Sequence, residues 1–354
     1  MSETKNLDAT LRQRSGAAAP ELVRRLPDDW VQCLACGHAC KVPPGRRGIC
    51  QVRFNDGGSL RVPRGYVAAL MCDPIEKKPF FHVLPGSDAL SFGMLGCDLH
   101  CAYCQNWVTS QALRDPAAIA PVRATSAREI ATLARERGAA TVASTYNEPL
   151  ITVEWAVEVF RHAKELGLRT AFVSNGNATP EVLRFLAPWV DLYKVDLKSF
   201  RDRNYRQLGG RLERILDTIP ELVRMGFWVE VVTLVIPGFN DSDAELHDIA
   251  TYLAGISPDL PWHVTAFHQD YKMTDPDDTP VETLVRGCEI GRAAGLRYVY
   301  AGNLPRRVGA WENTCCPQCA ATMIERSGFR VSANRLRDGC CSACGAAIAG
   351  VWSA

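Results

Sequence analysis

The sequence predicts an α/β protein: a partial (β/α)6 TIM-type barrel with an N-terminal Cys-rich module and a C-terminal zinc-ribbon-like module. Three observations predict it. From about residue 85 to 310, short β-rich runs alternate with amphipathic helical patterns, which calls for a parallel sheet with helices outside it. Cysteines cluster at both ends of that stretch and are almost missing from its middle. From about Trp311 the alternation stops and the chain turns cysteine- and glycine-rich, the mark of a separate small module. The expected divisions are a flexible or weakly helical leader over 1–30, a Cys-rich module over 31–84, the barrel over 85–310 and the tail over 311–354.

The elements follow in order. Ala89 to Leu95 (ALSFGML) reads as a strand running into a cysteine loop. Ser126 with Glu129 makes a capping box that opens a helix ending near Gly138. ATVAST, from Ala140 to Thr145, is a buried strand. Leu150, Val153, Val157, Phe160 and Ala163 recur at helical spacing up to Gly167. RTAFVSNG is the next strand and turn, and Thr179-Pro180 opens a helix as a cap followed by proline. VDLYKVDLK ends a strand at Lys198, and FWVEVVTLVIPG (Phe227 to Gly238) is the longest β-rich run. Ser242 and Glu245 cap a helix bearing Leu246, Ile249 and Leu253. WHVTAFH is a strand, Val281 to Gly295 a helix, and LRYVYAGN the last strand.

Composition narrows the class. A hydrophobic fraction of 47% and a charged fraction of 22% are those of an ordinary globular chain. A net charge of +1 argues against general attraction to nucleic acid or anionic membrane. No uncharged apolar run approaches the ~18 residues that span a bilayer, so a cytoplasmic location is expected. Fifteen cysteines in such a chain point to metal or cluster ligands rather than disulfides. Cys72 and Cys288 stand apart and read as buried small hydrophobes.

The stretch Gly96 to Asn106, GCDLHCAYCQN, holds three cysteines at Cys-x3-Cys-x2-Cys spacing. Cys97, Cys101 and Cys104 can bind three irons of a [4Fe–4S] cube and leave the fourth iron open. His100 adjoins Cys101 too closely to complete a zinc site without straining the loop. CDLHCAYC resembles the signature of radical S-adenosylmethionine (radical SAM) enzymes. That resemblance implies that the open iron chelates the methionine moiety. It further implies that one electron cleaves the sulfonium and that the resulting 5′-deoxyadenosyl radical abstracts hydrogen from a substrate. It also implies an external one-electron donor such as ferredoxin or flavodoxin.

Reactive groups of a parallel barrel gather at the carboxyl ends of its strands. There the same resemblance implies cofactor contacts for Asn147 and Glu148 of TYNEP, Ser174 and Asn175 of SNGN, and Asp196 and Lys198 of KVDLK. VIPGFND (Val235 to Asp241) is similar to a loop near adenine in activating enzymes of glycyl-radical proteins. Val173 stands where those activases usually carry an acidic residue, so a cation bridge through Asp196 is not implied. DPIEKKPFFHVLPGS, CQNW, TYNEP, VDLKSF, TPVETL, YVYAGN and the cysteine-rich tail together resemble the AmmeMemoRadiSam system radical SAM family, which sits beside the pyruvate formate-lyase activating enzymes. By that association alone, Memo-like and AMMECR-like proteins are implied partners.

At the C-terminus, Cys316, Cys319, Cys341 and Cys344 form two Cys-x2-Cys knuckles, which fit zinc, with an auxiliary cluster as the alternative. Cys315 and Cys340 precede the knuckles and are spare. Near the N-terminus, Cys33, Cys36, Cys40 and Cys50 fit zinc or a second cluster, and His38 offers a substitute ligand. Arg46, Arg47, Lys77 and Lys78 read as solvated charges, His263 as a core residue, and His268 and Asn303 as residues near the mouth of the barrel. The expected function is reductive cleavage of S-adenosylmethionine followed by hydrogen abstraction from an unidentified substrate. The alternatives are an activase for a glycyl-radical protein partner and a non-catalytic zinc-knuckle scaffold.

Overall fold

Eight strands form the central sheet, and their order in space is their order in the chain. The structure, a computed structural model, describes residues 2–353. Strand β1 (Ala69–Pro74) pairs antiparallel with β2 (Asp88–Gly93). Strands β3 (Thr141–Ser144), β4 (Arg169–Ser174), β5 (Leu192–Asp196), β6 (Trp228–Val235), β7 (Trp262–Ala266) and β8 (Val299–Gly302) follow, each parallel to its predecessor. Seven strands are therefore parallel, the seven runs read from the sequence, with LRYVYAGN beside β7; a (β/α)6 barrel would have six. Strands β1 and β8 are its two edges, so the pairing by itself describes an open sheet.

The helices explain the burial of both faces. They are α1 (Ala127–Glu136), α2 (Val153–Glu165), α3 (Pro180–Leu186), α4 (Leu212–Arg224), α5 (Asp243–Ile256) and α6 (Val281–Ala293). Both halves of the Ser126–Glu129 capping box are made, and the Thr179 and Ser242 side chains accept from Val182 N and Glu245 N. Helix α4 is not among the elements expected from the sequence. Pro220 lies inside it and cannot donate to the carbonyl four residues back. The Tyr252 hydroxyl from α5 donates to that carbonyl, Leu216 O, instead.

The expected flexible or weakly helical leader is a structured part of the molecule. Ser2–Gln13 is helical, Ser15–Ala17 pairs with Ser59–Pro63, and Val23–Arg25 pairs with Val31–Cys33. Leu11 and Leu22 are buried in the main core, and that burial offsets the entropy of ordering the segment. The tail is equally integrated. Phe81, Tyr298 and Tyr300 share a core cluster with Cys316, Met323, Ile324, Cys341 and Ile348.

Between β1 and β2 the chain makes a plug. Phe81 N and His82 N donate to the two Glu230 carboxylate oxygens at 3.0 and 2.9 Å. The tail clamps the same segment. Arg326 Nη2 donates to Phe81 O at 2.6 Å, and Leu84 N and Val351 N exchange bonds with Val351 O and His82 O at 2.9 and 2.8 Å. No helix among the described residues is long and apolar enough to cross a membrane.

Candidate active site

One cavity of about 420 Å³ lies at the carboxyl ends of the parallel strands. Its wall includes Cys97, Cys101 and Cys104 from the loop after β2, Asn147 and Glu148 after β3, and Ser174 and Asn175 at the end of β4. It also includes Asp196 and Lys198 at the end of β5. Every residue expected at the cluster or the cofactor thus reaches the same space. This follows from the topology: in a parallel sheet all carboxyl ends share one rim.

The cysteine loop is held on several sides. Leu99 N donates to Cys97 Sγ at 3.4 Å, Ser110 Oγ lies 3.2 Å from Cys104 Sγ, and His100 N donates to Leu208 O at 2.9 Å. The His100 ring packs over Gly209, where a Cβ would meet it at 2.2 Å, and is not part of the cavity wall. Burial pushes the Cys101 thiol up to about 11 and the Cys97 thiol well above its usual value. Buried thiols of this kind act as ligands when a metal replaces the proton.

Beside the loop lies a carboxylate network of which the sequence motifs mark only Glu148, Ser174 and Asn175. Glu148 Oε1 accepts from Ser174 Oγ at 2.7 Å and from Leu150 N at 3.1 Å, and Oε2 accepts from Asn175 N at 2.8 Å. Asp98, fully buried, accepts from Asn175 Nδ2 at 2.7 Å and from Asn177 Nδ2 at 2.8 Å. Burial and then the nearby Asp98 carboxylate push the Glu148 carboxyl up to about 8. Asn147 Oδ1 accepts from Met94 N at 3.0 Å, which joins the ends of β2 and β3. Asp98 and Asn177 were missed because their role exists only once distant strand ends meet. Tyr146 adopts a left-handed backbone, with φ of 70°, uncommon for a bulky residue and characteristic of functional turns.

Across the cavity, Asp196 sits between two lysines. Lys194 donates to Asp196 Oδ1, and Lys198 Nζ lies 3.3 Å from Oδ2. Burial opposes ionisation of Asp196, but Lys194 and Lys198 hold its carboxyl below the usual range. Burial alone would lower Lys198; Asp196 and the Cys101 sulfur overcome it and hold the ammonium charged. Lys194 went unremarked in the sequence because it precedes the DLK motif inside the strand. Asn240 of VIPGFND donates to Lys198 O at 2.8 Å and fixes that turn from behind.

Other expectations change. Lys78 is buried rather than solvated, lines the cavity, and donates to Asp73 Oδ2 at 3.1 Å and Tyr146 Oη at 3.2 Å. His263, not His268, lines the cavity, and its Nε2 lies 2.6 Å from Glu230 Oε2. His268 is exposed and contacts Gln105. Asn303 lies on the wall, with Nδ2 donating to Ala266 O at 3.0 Å.

In the tail, Cys316, Cys319, Cys341 and Cys344 form a four-thiol site whose sulfurs all lie within 4.8 Å of one another. Cys316 faces Cys344 and Cys319 faces Cys341, each at 3.6 Å. Cys315 instead lies 3.8 Å from Thr322 Oγ1. Cys33, Cys36 and Cys50 are buried and Cys40 is half-buried. Cys288 is buried as expected, whereas Cys72 is half-exposed.

The radical SAM superfamily model matches residues 93–250. The chain is 36% identical over 307 residues to the uncharacterized protein MJ0808 of Methanocaldococcus jannaschii, covering 86% of this chain and 90% of that one. It is 33% identical over 107 residues to the choline trimethylamine-lyase activating enzyme of Oleidesulfovibrio alaskensis, but this spans only 30% of this chain and 34% of that enzyme. The pyruvate formate-lyase-activating enzyme of Clostridium pasteurianum is 25% identical over 198 residues, covering 51% and 80% of the two chains. A radical SAM methyltransferase from Sphaerobacter thermophilus shares the fold, with a TM-score of 0.50 at 17% identity over 84% of this chain and 82% of that one. The chain belongs to the radical SAM superfamily.

Proposed function

We propose that the protein cleaves S-adenosylmethionine reductively and uses the product to abstract hydrogen from a substrate. The observation that carries this is the convergence of Cys97, Cys101 and Cys104 with Glu148, Asp196 and Lys198 on one cavity. The residues fit the cofactors. Three thiols, Cys101 buried and Cys97 and Cys104 half-buried, leave one corner of a [4Fe–4S] cube to an outside ligand, and a carboxylate wall faces an ammonium wall, matching a zwitterionic amino acid. When bound, the cluster and S-adenosylmethionine supply one-electron cleavage of the sulfonium.

The chain's own residues do the rest. Cys97, Cys101 and Cys104 hold the cluster. Glu148, oriented by Ser174 Oγ and Asn175 N, receives the methionine ammonium, with Asn147 beside it. Lys198, kept charged by Asp196, faces the carboxylate and ribose. The plug at Phe81 and His82 closes the space between the sheet edges, so that strands β2 to β8 act as a partial barrel, and it excludes water from a reactive radical. The tail thiols hold a structural zinc, since their 3.6 Å contacts match the edge of a tetrahedron with Zn–S near 2.3 Å.

A protein substrate is the favoured reading, because several curated relatives are activating enzymes that act on lyases and a decarboxylase. The AmmeMemoRadiSam motifs make Memo-like and AMMECR-like proteins the first partners to try, with ferredoxin or flavodoxin as electron donor. The test is anaerobic incubation of the reduced enzyme, S-adenosylmethionine and each partner, followed by electron paramagnetic resonance. A protein-centred radical supports the activase reading. Deuterium moving instead from a small molecule into 5′-deoxyadenosine overturns it while keeping the radical chemistry.

A further inference from the structure

We propose that Cys33, Cys36, Cys40 and Cys50 hold an iron–sulfur cube rather than a single zinc ion. A zinc ion bonded to sulfur at about 2.3 Å sets tetrahedral edges of about 3.8 Å, and the tail quartet has that geometry. Among the described residues, the tail quartet is the set of three or more His, Cys, Asp or Glu side chains with every ligand atom within 4.8 Å of the others. Neither the N-terminal quartet nor Cys97, Cys101 and Cys104 meets that spacing. The N-terminal cysteines nonetheless sit together: Cys33 N donates to Cys40 O at 2.9 Å, and a Cβ at Gly48, two residues before Cys50, would meet Cys40 Sγ at 3.6 Å. Thiolates on the corners of a cube stand farther apart than those on one ion, because iron and sulfide lie between them. The same chain thus shows a tight quartet at one end and an open one at the other.

A second observation comes from Arg53, whose side chain is 2% exposed. Its Nη1 donates to Cys33 Sγ at 3.5 Å and its Nη2 pairs with Glu154, yet its buried Nε has no partner. A cube carries inorganic sulfides that accept such a bond as well as the thiolates; a lone zinc offers the thiolates alone. The guanidinium also balances the negative charge that four thiolates bring to a buried site.

The quartet is tied to the radical SAM loop. His38 Nε2 lies 3.0 Å from Asp98 O, and Arg114 donates to Ile49 O at 2.6 Å and to Leu99 O at 2.9 Å. A Cβ at Gly96 would meet the Cys50 backbone O at 3.0 Å, so the backbones of the two loops pack closely. The Nε2 of His38 is taken up by its contact with Asp98 O, and the proposed ligands are the four cysteines.

The inference does not depend on the reading of the cavity, and one experiment separates the two. The full-length protein is reconstituted anaerobically with iron, sulfide and zinc, and all three are counted. About eight iron, eight sulfide and one zinc per chain are expected; about four iron and two zinc would overturn the proposal. The Cys97→Ala, Cys101→Ala, Cys104→Ala triple variant is expected to keep about four iron and a reduced-cube resonance signal, while losing 5′-deoxyadenosine formation. Loss of all its iron would overturn the proposal, whereas iron unchanged from wild type would instead undo the radical SAM site. Adding Cys36→Ser and Cys50→Ser should remove the remaining iron; iron that persists lies elsewhere and also overturns it. Even if those variants do not fold, a wild-type count of about four iron and two zinc overturns the proposal.

Discussion

Asn175 Nδ2 donates to Asp98 Oδ1 at 2.7 Å, joining the cysteine loop to the end of the third parallel strand across 77 positions of sequence. Asp98 adjoins the first cysteine of that loop, and the Asn175 backbone N–H holds Glu148. The cysteine loop and Glu148 are therefore one hydrogen-bonded unit, which on the proposed function couples cluster placement to ammonium recognition.

Replacing Asp98 should disturb both. Asp98→Ala strands two buried amide donors, on Asn175 and Asn177, at a cost of about 2–4 kcal/mol. It is expected to lower the unfolding midpoint and to slow 5′-deoxyadenosine formation at least tenfold. Denaturant titration and product chromatography check this, and a variant indistinguishable from wild type in both would show the network to be incidental.

Glu148 gives a pH dependence. Its carboxyl, pushed up to about 8, is mostly neutral at pH 7 and attracts an ammonium poorly. Affinity for S-adenosylmethionine should rise about tenfold per pH unit as pH climbs toward 8, then level off. In Glu148→Gln binding is weak and flat with pH. For the nucleotide-free fold the sign is opposite. The raised group stabilises fully below its unfolded value of 4.5 and loses that contribution as pH rises through about 8. Calorimetric titrations at pH 6.5, 7.5 and 8.5 measure the first effect.

His82 predicts acid lability of the plug. It is fully buried between Ala349 O and the Tyr300 hydroxyl, and burial pushes its imidazole down to about 4 from an ordinary 6.5. The unfolded chain binds the proton more readily, so stability is full above 6.5 and falls as pH drops toward about 4. Between pH 7 and 5 the loss should be about 2 kcal/mol, seen in denaturant midpoints and reduced in His82→Gln.

Stripping metal from the tail should act at a distance. Cys341→Ser with Cys344→Ser removes two of the four thiols, and Arg326 and Val351 of the same module clamp the plug. One zinc per chain should be lost, and proteolysis near Lys77 and Lys78 should quicken, since the clamp no longer holds that segment. Unchanged cleavage would show that the tail docks without its metal.

What could be read from the sequence was local. The Ser126–Glu129 box, the Thr179-Pro180 start and the Ser242 cap are short-range patterns with one physical meaning, and the structure makes all three. Strand ends in a parallel sheet share a rim, so the motifs after β2 to β5 fell together as expected. Long-range partners were hidden. Nothing near Glu230 reveals that it will bind the backbone of Phe81 and His82, about 150 positions away. Lys78 looked like half of a solvated pair until the fold buried it against Asp73 and Tyr146. The choice of His263 over His268 turned on strand register: His263 lies within β7 and points to the cavity, whereas His268 lies past its end.

The most direct measurement is the fate of S-adenosylmethionine with the anaerobically reconstituted, dithionite-reduced protein, followed by chromatography. The account predicts 5′-deoxyadenosine from the wild-type chain and none from the Cys97→Ala, Cys101→Ala, Cys104→Ala variant. Intact nucleotide with a fully loaded, reduced wild-type protein, or equal cleavage by the variant, would contradict it.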